Sequence, residues 1–246
     1  MIFDLDPNLR WAFCMTHPDD EISICAWINR LVENGNEVFM SWTHSNPKRE
    51  KEGRKAAALI GVPGDHLRFF GAPDGDVVDH INPLIEEFRA WFGVVRPDRV
   101  CCGAFEQGHI DHDATNFIVN QAFQGAVFEI PFYHTYLVRL QKINRFADPR
   151  GEEVRHLDLQ EQEFKKRVAK QYPSTNIWSV LFCYEVLQGS RLKRADLAKS
   201  ERMRQQSHRD FLVPNLPPTL AKQVKRCEKW KRWERVMREI NGSRPA

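Results

Sequence analysis

Short apolar runs alternate with amphipathic stretches along the first half of the chain. Trp11–Thr16 is a short apolar run bounded by His17-Pro18, the pattern of a buried strand. Over Glu21–Glu33, residues Ile22, Cys25, Ala26, Trp27, Ile28, Leu31 and Val32 fall largely on one face at helical spacing, and Asn34-Gly35 closes that helix. The same alternation predicts strands over Val38–Thr43, His66–Phe70, Val100–Cys102 and Val127–Tyr136, the fourth strand announced by Arg96-Pro97-Asp98. Helices are expected between them over Pro47–Ile60, ended by Gly61, and over Asn82–Phe92 and Asp111–Phe123. Beyond about Asp158 the pattern turns helical and charged, over Gln160–Tyr172, Arg191–Arg209 and Leu220–Ile240.

A βαβα alternation of this kind predicts an α/β fold: a Rossmann-like, doubly wound, mostly parallel sheet with helices on both faces, here followed by a helical C-terminal extension. No Gly/Ser-rich linker, low-complexity run or internal repeat divides the chain. Residues 1–246 are therefore expected to form a single domain, with a core over about 9–190 and a basic helical extension over about 190–246.

Composition leaves this picture standing. Of 246 residues, 42% are hydrophobic and 28% charged, as in ordinary globular domains rather than disordered chains. The start, Met-Ile-Phe-Asp-Leu-Asp-Pro, has no basic n-region, so no signal peptide is expected. The apolar stretch Ile177–Leu187 is too short to span a bilayer and contains Glu185. Cysteines at 14, 25, 101, 102, 183 and 227 lack CxxC spacing and read as buried free thiols of a reducing compartment, which makes the cytoplasm the default address. Charge is uneven. Residues 1–189 carry 20 Lys and Arg against 27 Asp and Glu, a net of −7, whereas residues 190–246 carry 16 against 6, a net of +10. Such a tail suits an anionic substrate, nucleic acid or lipid surface, or simply the solvated face of terminal helices.

Two clusters carry chemistry. His17-Pro18-Asp19-Asp20-Glu21 follows the first strand, and His109-Ile110-Asp111-His112 follows the fourth. In a doubly wound sheet of order 3-2-1-4-5 those strands are neighbours, and the loops after their C-terminal ends face one crevice where the strand order reverses. The two clusters then form one site. Imidazoles and carboxylates suit zinc or a similar divalent ion, and a catalytic zinc uses three protein ligands and leaves a position for water. A further carboxylate is needed to take that water's proton. Adjacent aspartates supply a ligand and a base, and chemistry alone leaves open which is which.

The ordered set resembles the signature of the PIG-L/LmbE-like deacetylase family. It extends through Arg49-x-x-Glu52 ahead of Leu59-Ile60-Gly61-Val62, Phe70-Gly71-Ala72-Pro73-Asp74-Gly75, and Phe105-Glu106-Gln107-Gly108. The family's zinc enzymes remove the N-acetyl group from glucosamine units of glycolipids, thiol precursors, antibiotics and chitin fragments. The resemblance implies one Zn2+ per chain held by His17, Asp20 and His112, with iron or manganese compatible with the same ligands. It implies Asp19 as general base that later returns the proton to the leaving amine. It implies His109 as stabiliser of the tetrahedral oxyanion, with Asp111 orienting it, and Arg49 and Asp74 as substrate contacts to sugar hydroxyls or, for Arg49, a phosphate. The expected partner is a small N-acetylated amino-sugar substrate, with no specific nucleic acid and no membrane span, and a homo-oligomer left open. Two departures concern substrate contacts. Tyr172-Pro173-Ser174-Thr175-Asn176 stands where many members carry a Tyr-Ser-Gln-like segment, and Gln107 occupies the area where some place a tyrosine.

Plainer readings compete at several positions. Three acids at a helix start stabilise its dipole by ~0.3–1 kcal/mol without any metal, Arg49 and Glu52 suit a surface ion pair, and Asp74-Gly75 suits a turn. His44, His66, His80, His134, His156 and His208 have no partners at ligand spacing and read as structural or exposed. Cys101-Cys102 reads as strand packing, and Trp178, Trp230 and Trp233 as helix packing. At the level of function, the alternatives are a metal-dependent hydrolase of a different amide or ester, and a non-catalytic sugar-binding relative. A nucleic-acid binder is disfavoured because no aromatic residues interleave with the basic ones on a strand platform.

Overall fold

The structure, a computed structural model, describes residues 1–137, 142–175, 177 and 197–242. Asn176, Trp178, Cys183, most of the apolar stretch 177–187 and residues 191–196 of the helix expected over 191–209 lie outside the described residues. The elements run β1 Trp11–Met15, α1 Cys25–Glu33, β2 Val38–His44, α2 Pro47–Ile60, β3 Leu67–Ala72, α3 Ile81–Val95, β4 Arg99–Gly103, α4 Ile110–Ala122 and β5 Val127–Ile130. There follow β6 Tyr133–His134, β7 Lys142–Ile143, β8 Glu152–His156, α5 Leu159–Ala169, β9 Ser200–Gln205, α6 Pro218–Val224 and α7 Glu228–Gly242.

Seven strands form one sheet in the order β3-β2-β1-β4-β5-β9-β8. The first five are parallel, in the 3-2-1-4-5 order expected from the alternation, and β9 and β8 add antiparallel at the β5 edge. β1 shows why helices cover both faces. Its side chains alternate across the sheet. Trp11, Phe13 and Met15 pack with α1, α2 and α5 (Trp27, Ile28, Ala56, Val168), while Ala12 and Cys14 pack with α3, α4 and α7 (Phe88, Phe117, Trp233). α2 is bounded as its sequence requires: the Asn46 side chain accepts from Arg49 N–H at 3.0 Å, Pro47 opens the first turn, and Gly61 closes it at φ 97°.

Three expectations give way. Ser200–Gln205, expected to be helical within Arg191–Arg209, is a strand, so the segment beyond 190 is not purely helical but begins its described part inside the sheet. Its charges are buried by pairing. Arg204 lies 2.7 Å from Glu129 and 3.2 Å from Glu106, Arg202 lies 2.8 Å from Glu152, and Glu201 lies 3.2 Å from Lys165. The strand expected over Val127–Tyr136 ends at Ile130, because Pro131 cannot continue the ladder. Tyr133–His134 pairs separately with Lys142–Ile143. The single helix expected over Leu220–Ile240 is two, α6 and α7, joined through Lys225, Arg226 and Cys227. Cys14, Cys25, Cys101 and Cys102 are buried free thiols. Trp230 and Trp233 are core residues, as helix packing predicts. Among the described residues no helix is long and apolar enough to cross a membrane.

Candidate active site

β1 and β4 are neighbours in the sheet, and the loops after their C-terminal ends bring both histidine clusters together. His17 Nδ1 lies 3.1 Å from His112 Nε2, and Asp20 closes the triangle, with Oδ1 at 3.4 Å from His112 Nε2 and Oδ2 at 3.9 Å from His17 Nδ1. Two nitrogens and one carboxylate so converged are a possible metal-ligand set. The spacing fits one: four ligands at about 2.0–2.1 Å around a tetrahedral zinc would stand roughly 3.3 Å apart. Backbone N–H groups of Thr16 and His17, at 3.0 and 2.8 Å, fix the Asp20 carboxylate. Burial opposes its charge, but His112 and His17 outweigh burial and hold the carboxyl well below the usual range.

On the far side of His17, Nε2 lies 3.2 Å from Asp74 Oδ1 and 3.6 Å from Asp111 Oδ2. Burial opposes an imidazolium at His17, yet Asp111, Asp74 and Asp20 overcome it and push its pKa up to about 10. Such anionic surroundings favour a cation. Asp111 is fully buried, accepts from Gly75 N–H at 2.7 Å, and stands closer to His17 than to His109, whose Nδ1 is 3.9 Å away. His109 caps α4: its Nδ1 accepts from Asp111 N–H at 3.2 Å. Nδ1 is therefore unprotonated, and the proton of the neutral ring sits on Nε2. Burial, with His112 and His17 nearby, lowers its pKa to about 4, so the ring is neutral at pH 7. The approach to His109 needs Gly108, where an added Cβ would collide with the Tyr133 carbonyl.

Asp19 stands beside this set on a strained backbone, φ 130° and ψ −15°. Arg49 holds it, with Nη2 3.0 Å from Asp19 Oδ2 and a second hydrogen bond to the Pro18 carbonyl. Burial and the adjacent Asp20 push the Asp19 carboxyl up to about 7, against the pull of Arg49. Arg49 also donates to Ser174 Oγ and Thr175 Oγ1 at 3.2 and 3.3 Å, and Glu52 accepts from Ser174 N–H at 3.2 Å. The pair is buried rather than at the surface, and most of the Arg49 guanidinium is engaged by protein groups. Buried Glu21 braces the loop from beneath, accepting from Asp19 N–H, Trp42 Nε1 and the Tyr172 hydroxyl.

His17, Asp19, Asp20, Arg49, Asp74, His109, His112, Ser174 and Thr175 line one cleft of about 520 Å³, while Glu21, Glu52, Asp111 and Tyr172 stand behind its surface. Phe132, Ile143, Ile177 and Leu197 give the cleft an apolar part, and the Phe132 and Tyr133 rings pack beside His112. The structure thus brings His17, Asp19, Asp20, Arg49, Asp74, His109 and His112 to one cleft, with Asp111 directly behind. Sequence reasoning named Glu21 and Tyr172 in the motif segments without their bracing role, and it did not place the apolar lining or His44 at the site. His44, read there as structural or exposed, is 5% exposed and lines the cleft. Its place at the C-terminal end of β2, beside the crevice, was the signal available for it.

Residues 12–123, which span every motif from His17 to His112, match the sequence profile of the family described as PIG-L, GlcNAc-PI de-N-acetylase. The resemblance read from those motifs holds. No curated protein matches the sequence. Among solved structures, a deacetylase of the teicoplanin biosynthesis pathway superposes with a TM-score of 0.60 at 14% identity, covering 81% of this chain and 100% of that one. The deacetylase of the A40926 pseudoaglycone gives 0.58 at 16% identity, covering 80% of this chain and 96% of that one. A 4-carboxy-2-hydroxymuconate hydratase from Pseudomonas putida KT2440 gives 0.51 at 13% identity, covering 82% and 98%. At such identities the likeness is one of fold, and that fold carries a hydratase as well as deacetylases.

Proposed function

From a PIG-L/LmbE-like signature set at the crevice of a doubly wound sheet, we propose that the protein is a zinc-dependent deacylase that hydrolyses the N-acyl amide of an amino sugar, in the first instance an N-acetylglucosamine-containing substrate. One observation carries this reading: three ligands at tetrahedral spacing share a cleft with a strained carboxyl, Asp19, that does not belong to the ligand triangle.

His17, Asp20 and His112 would hold the ion. Zinc at such a site acts as a Lewis acid and lowers the pKa of water to about 7. Asp19, with its pKa near neutrality, takes the proton from the attacking water, and the two backbone and side-chain contacts from Arg49 keep that carboxylate aimed. His109 offers Nε2–H to the oxygen on which negative charge develops. Its neutral state and fixed tautomer mean that no proton has to be rearranged before it donates. Asp19 then gives its proton to the departing amine. Asp111 and Asp74 orient His17 through Nε2, leaving Nδ1 directed at the ligand triangle. This role for Asp111, toward His17 first, is more direct than one through His109.

The test is metal content together with acetate release from a panel of N-acetylglucosamine derivatives, before and after chelation. About one metal per chain with chelator-sensitive acetate release is the expected result. Because the fold also hosts a hydratase, fold alone does not decide, and a metal-loaded protein that releases no acyl group from any amide would overturn the reading.

A further inference from the structure

His44 is a buried titratable group that the mechanism above does not use. Its Nδ1 lies 2.8 Å from the carbonyl oxygen of Ala72. A carbonyl oxygen only accepts, so Nδ1 carries a proton, and in the tautomer this contact selects Nε2 is left as an acceptor. That Nε2 has no hydrogen-bond partner among the described residues. The ring lines the cleft, with its centroid 5.4 Å from that of His17. A device in the sheet aims it there. The β2–β3 register shifts between Trp42 and His44, and the extra residue of β3 is accommodated by Gly71 at φ 75°, which places the Ala72 carbonyl opposite Nδ1.

We propose that His44 is a substrate-binding residue whose Nε2 accepts a hydrogen bond from a hydroxyl group on the ring that carries the acylated nitrogen. Asp74 supplies the second acceptor: its side chain is 68% exposed and its Oδ1 is 3.2 Å from His17 Nε2. A wall built of two acceptors recognises a neutral polyol and repels a phosphate or carboxylate at the same place. Of the two cations that line the cleft, Arg49 is committed to Asp19, Pro18, Ser174 and Thr175, and Lys48 is exposed. The inference rests on the deacylase reading for the position of the acyl nitrogen, and it specifies the substrate as hydroxyl-bearing on the β2–β3 side of the cleft.

The experiment is equilibrium binding of glucosamine and of cyclohexylamine, the same amine on a ring without hydroxyls, to the purified, metal-containing full chain. As reaction-product analogues they bind without turnover. Wild type should bind glucosamine more tightly than cyclohexylamine. His44→Asn keeps a donor in the place of Nδ1 and deletes the Nε2 acceptor, and it should weaken glucosamine about 5- to 10-fold while leaving cyclohexylamine unchanged. His44→Gln restores an oxygen near the Nε2 position and should recover part of the loss. Thermal melts of both variants separate binding from folding. Unchanged glucosamine affinity in His44→Asn, an equal loss for both amines, or no preference in wild type overturns the inference. Histidine-dependent glucosamine binding without acyl release from any amide would sink the deacylase reading and leave His44 in place. Acyl release with a KM indifferent to His44→Asn would do the reverse.

Discussion

Two adjacent aspartates with the same side chain are driven to opposite protonation tendencies by their surroundings. Asp20 receives two backbone N–H bonds and faces two imidazoles, so its charge is held whatever the pH above the acid range. Asp19 is turned away from the triangle by a φ of 130°, which a residue with a Cβ adopts at a cost of about 1–3 kcal/mol, and is left near neutrality by burial and by Asp20 itself. Asp20→Ala should therefore empty the metal site. Asp19→Ala should retain metal and lower kcat by about 10²–10⁴-fold, the usual contribution of a positioned base. Metal analysis of both variants beside their rates checks this, and equal metal loss in the two would reverse the assignment. The convergence of these residues was legible in the sequence as a set, since His-Pro-Asp-Asp and His-x-x-His indicate which residues meet but not which aspartate turns. His44 was legible only by its place at the C-terminal end of a predicted strand. A lone histidine in a strand has no partner along the chain, and the bulge that aims it is formed by β3.

At the scale of elements, the apolar runs that gave β1, β2, β4 and β5 are strands buried on both faces, where periodicity and burial agree, whereas β3 at the sheet edge is mostly half-buried or exposed. β9 defeats that logic because Ser-Glu-Arg-Met-Arg-Gln reads as a solvated segment, while in the fold five of its six residues are buried. Glu201 shows how such a strand is tolerated. Its carboxylate accepts from Ala26 and Trp27 N–H at 2.9 and 2.8 Å, capping α1, and lies 3.2 Å from Lys165 and 3.4 Å from Arg155. The helix start that β1 leads into is thus satisfied by a residue about 175 positions away, which no local capping rule could anticipate. Removing one partner of a buried pair leaves the other charge unpaired. Glu201→Ala should accordingly cost roughly 3–5 kcal/mol, and the apolar pair Lys165→Met with Glu201→Leu less than that. Urea unfolding of the three proteins measures both. A single variant that loses under about 1 kcal/mol would mean that β9 is not tied to α1 through this carboxylate.

Over the whole molecule, the charge asymmetry of the sequence is turned partly inward. α7 sets Trp230 and Trp233 into the core, and Arg232 on the same helix donates to the Gly75 carbonyl at 3.2 Å and lies 2.9 and 2.6 Å from Asp76 and Asp79, clamping the loop that carries Asp74. The acidic loop and the basic tail thereby hold one wall of the cleft, and the cleft gathers enough carboxylate around His17 to keep its imidazolium up to about 10. Folding stability and metal binding are then linked through one proton. The folded pKa of His17 is raised above its ordinary 6.5, so its contribution to the metal-free protein is complete below 6.5 and is lost as pH rises toward 10. A metal ligand must be deprotonated at Nδ1, so the ion competes with that proton and binds more tightly as pH rises. The difference in melting temperature between zinc-loaded and chelator-treated protein should widen from pH 6.5 to pH 8.5. With free zinc at about 100 times Kd the stabilisation is about 2.7 kcal/mol, or roughly 5–11 °C for a domain of this size. Calorimetric titration with zinc at pH 7.5, in two buffers of different ionisation enthalpy, should register about one proton released per ion. A gap that is constant or narrows with pH, with no proton released, would remove His17 from the ligand set and with it the geometry on which the cleft has been read.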